Sequence, residues 1–120
     1  MKASILIAED SSHMRMILKE ILVKADYNVV GEAVNGKDAV RMYNELHPDV
    51  VTMDLHMPEM DGITALKEIK EKDPKAKIVM VCAMNQQDQV IEAIRAGAVD
   101  FFIKPLQTER VLEVIERVLK

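Results

Sequence analysis

Short apolar runs alternate five times with longer stretches in which apolar residues recur at helical spacing, and that alternation predicts a parallel sheet joined by crossover helices. The runs are Ile5 to Ala8, Val29 to Val34, Val50 to Met53, Ile78 to Val81 and Phe101 to Ile103. After the first, Met14, Ile17, Leu18, Ile21 and Leu22 share one helical face that must cover the sheet. Asn35-Gly36 supplies a turn and a cap for a second helix carrying Ala39, Met42, Tyr43 and Leu46. His47-Pro48 stops it, because proline disfavours the α conformation in the residue before it. Ile63, Leu66 and Ile69 mark a third helix, ending at Asp73-Pro74. Val90, Ile91 and Ile94 mark a fourth, with Asn85 and Asp88 in a capping arrangement and Ala96-Gly97 closing it. Thr108 is the expected cap of a fifth helix, which docks through Val111, Leu112, Ile115, Val118 and Leu119. The expected fold is α/β, a (βα)5 doubly wound open sheet with helices on both faces, in one domain spanning 1–120.

A chain of 120 residues fits one domain, and 49% hydrophobic with 30% charged residues supports an ordinary core. The single cysteine, Cys82, excludes an internal disulfide and points to a reducing, cytoplasmic setting. A net charge of -4 without a basic stripe argues against direct nucleic-acid or anionic-membrane binding, so proteins are the expected partners. No run is long enough for a signal core or a membrane span. The nine methionines read first as core filler.

Four of the apolar runs end in residues with chemistry: Glu9-Asp10, Asp54, Cys82 and Lys104. In a parallel sheet these meet at the carboxyl edge, where open α/β sheets bind ligands. Acids with one ammonium suit a divalent cation and a phosphoryl group. Mg²⁺ takes oxygen ligands at about 2.0 to 2.1 Å and keeps several waters, so two or three carboxylates and a carbonyl suffice. Taken alone, Glu9-Asp10 would read more readily as the polar entry and N-cap region of the first helix, whereas Lys104, directly between a phenylalanine-rich strand and Pro105, is poorly placed for a merely solvated lysine. Their equivalent positions at strand ends favour a shared site. There Asp54 can attack a phosphoryl group as a nucleophile, with a cation on one side and the Lys104 ammonium on the other.

The motifs Ile7-Ala8-Glu9-Asp10, Met14-Arg15-Met16, Glu32 to Gly36, Thr52 to Gly62, Ala83 to Gln87, and Ala96-Gly97-Ala98 through Lys104-Pro105 follow one another along the whole chain. Together they resemble the receiver domain of two-component response regulators, and within it the free-standing kind that serves chemotaxis. The strand order 2-1-3-4-5 is implied by that resemblance, being the order for which the family is known, and is not read from spacing. The resemblance further implies that Asp54 accepts phosphate from a histidine kinase and that Glu9, Asp10, Asp54 and the backbone carbonyl of His56 hold Mg²⁺. It implies that Lys104 pairs with the phosphoryl oxygens before a cis Lys104-Pro105 bond, and that Phe101 is the switch aromatic. The protein would assist its own phosphorylation and dephosphorylation without being an enzyme. Its altered α4-β5-α5 surface would regulate a flagellar motor switch protein or another protein target, with a phosphatase as a further partner.

Cys82 stands where the family carries a Ser or Thr hydroxyl, and a thiol is a weaker donor. Phe101 lacks the phenolic hydroxyl of the common tyrosine. His56 and Met84 flank the path of attacking water, and Met84 cannot orient water strongly, so slow self-dephosphorylation is expected. Rival readings are a phosphorelay intermediate or a regulator outside chemotaxis, a small aspartyl-phosphate phosphohydrolase, a flavin module and a catalytic cysteine. The phosphohydrolase lacks a second acid two residues after Asp54, the flavin module lacks a hydroxyl-rich phosphate loop, and the cysteine has only His56 for a base.

Overall fold

The computed structural model describes residues 2–120. Elements alternate as expected: β1 (Ser4–Ala8), α1 (Ser12–Lys24), β2 (Asn28–Ala33), α2 (Gly36–Leu46), β3 (Val50–Asp54), α3 (Gly62–Lys72), β4 (Ile78–Cys82), α4 (Gln87–Arg95), β5 (Asp100–Ile103) and α5 (Thr108–Leu119). The five strands form one parallel sheet in the order β2-β1-β3-β4-β5. Strands β3 and β4 are buried along their whole length, which is why they read as unbroken apolar runs.

The period-two alternation of the strands divides the core between the two faces. Leu6, Val51, Met53 and Met80 point toward α2, α3 and α4, where Tyr43, Leu66, Ile69 and Ala93 meet them. Ile5, Ile7, Val50, Val79 and Phe102 point toward α1 and α5, against Leu18, Leu22, Val111, Val114 and Ile115. His47 ends α2 in the left-handed region at φ 47°, with its amide bonded to the Tyr43 carbonyl.

Two expectations need correction. Asn85 does not cap α4: Gln86 occupies the cap and makes no capping bond, its Oε1 accepting instead from the Ala83 amide at 2.6 Å. Thr108 is the first residue of α5 rather than its cap, a position held by Gln107, also without a capping bond. Of the apolar residues that mark α4, Val90 packs inward beside Ala93, while Ile91 and Ile94 are exposed.

Candidate functional site

The polar ends of β1, β3, β4 and β5 converge at the carboxyl edge because all strands run the same way. Carboxylate oxygens of Glu9, Asp10 and Asp54 lie within 4.8 Å of one another, the one such cluster among the described residues. Octahedral ligands at about 2.1 Å from Mg²⁺ stand about 3 to 4 Å apart, so a small contraction fits this donor set to the ion. Hard carboxylates without a thiol or imidazole among them suit Mg²⁺ rather than zinc.

The Lys104 ammonium lies 3.3 Å from Asp54 Oδ2 and 3.4 Å from Glu9 Oε1. Burial works against its charge, but Asp54 and Glu9 outweigh that and raise its pKa. Glu9 is almost fully buried, and its carboxyl is raised from 4.5 to about 7, first by burial and then by Asp54, against the bond from the Ser11 amide and the charge of Lys104, which pull it down. Two buried acids sharing one ammonium leave negative charge that only a proton or a further cation neutralises. Asp54 itself is buried at the tip of the innermost strand, with its carbonyl pressed against the backbone of Gly62.

Local structure leaves the acids free for this work. Ser11, not an acid, caps α1 by accepting from the Met14 amide, while its own amide donates to Glu9 Oε2 at 3.0 Å. Asp61 is likewise committed elsewhere, capping α3 by accepting from the Thr64 amide at 2.8 Å. Arg15, noted in the sequence only as part of a motif, donates to the Glu9 carbonyl at 2.7 Å and pairs with Glu32 at 3.5 Å. A cation on α1 five residues beyond Asp10 was the available signal. Gly62 is a second such residue: a Cβ there would stand 2.0 Å from the Asp54 carbonyl oxygen, so no other residue allows that approach.

The remaining expected positions lie around this cluster. His56 and Met84 are exposed. Phe101 is half-buried and packs against the core beneath α4. The Lys104–Pro105 bond is cis. Cys82 is buried, and its thiol donates to the Phe102 carbonyl at 3.5 Å. Burial, and then the charge of Asp54, push that thiol up, so it stays protonated and unreactive. This leaves the catalytic-cysteine reading without support. Beside it a groove of about 580 Å³ runs between α4 and β5, lined by Cys82, Val90, Ile91, Ile94, Phe101 and Ile103.

The family described as the response regulator receiver domain matches residues 5–116. The chemotaxis protein CheY of Thermotoga maritima is 57% identical over 116 residues, 97% of either chain. That of Bacillus subtilis is 59% identical over 115 residues, 96% of either chain. Among solved structures, the CheX-CheY-BeF3-Mg²⁺ complex from Borrelia burgdorferi matches all of this chain and 91% of its own, with a TM-score of 0.95 at 33% identity.

Proposed function

Because the chain belongs to the response regulator receiver domain family, we propose that it is a chemotaxis switch in which Asp54 accepts a phosphoryl group from a histidine kinase. The observation that carries this reading is the Lys104 ammonium held jointly by Asp54 and Glu9 beside a three-carboxylate cluster. An Asp54 carboxylate oxygen forms the new P–O bond as the P–N bond to the kinase histidine breaks, giving an acyl phosphate. Lys104 moves from carboxylate to phosphoryl oxygen, and a bound Mg²⁺ supplies charge neutralisation on the other side. Glu9, Asp10, Asp54 and the His56 carbonyl are the residues that would hold it. The relatives' naming as chemotaxis proteins, and the Mg²⁺ and BeF3 in the Borrelia complex, support both the ion and the pathway.

The readout is assigned to the face of α4, β5 and α5, with Phe101 at its centre and a motor switch protein as the target. The Borrelia complex holds its CheY together with a second protein, CheX, which supports a further protein partner for this chain; a phosphatase is the proposed route to the resting state. Met84 at the rim gives attacking water no strong partner, which supports a long-lived acyl phosphate. Cys82 replaces the expected hydroxyl with a thiol already directed at β5, which weakens coupling of the acyl phosphate to Phe101.

Intact mass measurement after incubation with acetyl phosphate and Mg²⁺ tests the central claim. The wild type gains one phosphoryl group and Asp54→Asn gains none. An equal gain in both, or none in the wild type, overturns the assignment.

A further inference from the structure

The loop that follows Asp54 contains a strained turn. Glu59 has φ 66°, and the Met60 amide donates to the Pro58 carbonyl at 2.7 Å, which makes Pro58-Glu59-Met60 a γ-turn of positive φ, a rare conformation for a residue with a side chain. Such a turn persists only where its surroundings hold it. Two contacts do so, and both come from the start of α2. The Asn35 side-chain amide donates to Glu59 Oε2 at 3.1 Å, and the Gly36 amide donates to the Met60 carbonyl at 3.0 Å. Asn35 is 8% exposed and uses its other side-chain atom to cap α2, accepting from the Asp38 amide at 2.7 Å. A Cβ on Gly36 would stand 2.2 Å from the Met60 carbonyl oxygen, so the approach of the two segments needs that glycine.

The loop is closed at its other end by the Gly62 amide, which donates to the Leu55 carbonyl at 2.8 Å. His56 lies between these two anchorages, so the direction of its carbonyl is set by both. We propose that Asn35 and Glu59 form a positioning pair: the Asn35 amide on the Glu59 carboxylate fixes the loop and presets the His56 carbonyl toward the acid cluster. The dependence on that carbonyl rests on the proposed phosphoacceptor reading, whereas the tether itself does not.

Asn35→Asp isolates the pair, because aspartate caps a helix as well as asparagine does but replaces the donor facing Glu59 with a like charge. In the metal-free protein, amide hydrogen exchange at Met60 should rise about tenfold, the scale of one charge-assisted hydrogen bond, while the thermal midpoint shifts little. Mg²⁺ affinity by calorimetry should weaken severalfold, although an added carboxylate acting only through its field would tighten it. Asn35→Asp with Glu59→Gln restores the bond with its polarity reversed and should bring both readouts within about twofold of wild type. Unchanged exchange in Asn35→Asp, tighter Mg²⁺ binding, or no recovery in the double variant overturns the proposal. If wild type fails to bind Mg²⁺, the phosphoacceptor reading falls, and Met60 exchange still decides the tether.

Discussion

At the acid end of the sheet Glu9, Asp54 and Lys104 each lie against charged or backbone partners, and two glycines let loop backbone approach within contact distance. One strand away, α4 begins without a side-chain cap, rests on the sheet through Val90 and Ala93, and shows Ile91 and Ile94 to solvent at 51% and 43% exposure. Met84 and Ile103 extend that apolar surface to either side. The first region is set in advance for binding, with little freedom left to lose when a cation and a phosphoryl group arrive. The second has few contacts to break on moving, as expected of a segment drawn from the low-stability end of a fold. A switch needs both, since a rigid site cannot report and a loose one cannot bind.

The largest effect that separates them is Gly62→Ala. Its Cβ would meet the carbonyl oxygen and carbon of Asp54 and the Cα of Leu55, all backbone, so strand and loop must part. A loss of about 3 kcal/mol is expected, at the upper end of overpacking costs, read from the midpoint of urea unfolding. A change below about 0.5 kcal/mol, the range of ordinary surface substitutions, would show that the acid end is as yielding as α4.

The next effect is electrostatic. Glu9 titrates near 7 in the fold against 4.5 as its reference, so between those values the folded state binds more protons than the unfolded one. Stability then falls as pH rises through that window, by up to about 3 kcal/mol for a shift of this size. Metal-free protein should therefore melt lower at pH 8 than at pH 5.5 at constant ionic strength. Glu9→Gln should flatten the profile, and Mg²⁺ should raise the midpoint most at the alkaline end. A metal-free midpoint that climbs from pH 5.5 to 8 contradicts the burial of an uncompensated acid at this edge.

The same contrast governs what the chain disclosed before its fold was known. Strands β1, β3 and β4 were legible because segments buried on both faces must be continuously apolar, and adjacent acids directly after such a run have only the crevice to enter. The receiver motifs then pointed to Asp54 and Lys104, which the fold brings within 3.3 Å of each other. What escaped notice depends on close tertiary approach: Ser11 rather than an acid at the α1 cap, the carbonyl against Gly62, and Arg15 on the Glu9 backbone. On α4 the helical period identified apolar residues but not which ones the sheet would take. The contact is made by Val90, which the period marked, and by Ala93, fully buried, which it did not, because alanine carries too weak a hydrophobic signal to mark a face.

The smallest expected effect tests the loose side of the comparison. Ile94→Ser removes an exposed apolar side chain from the groove beside Phe101 without opening a core cavity, so unfolding free energy should move by no more than about 0.5 kcal/mol. Leu66→Ala, on the fully buried face of α3, serves as the counterpart and should cost about 2 to 5 kcal/mol. Phosphoryl uptake at Asp54 should be unchanged in Ile94→Ser, because the acid cluster draws nothing from α4. Partner capture by the phosphorylated protein should nevertheless drop severalfold, since apolar anchors at the centre of an interface dominate its affinity. A stability loss near that of Leu66→Ala would mean that Ile94 is part of the core, and the division between a fixed site and a movable face would fail at the residue where it is easiest to measure.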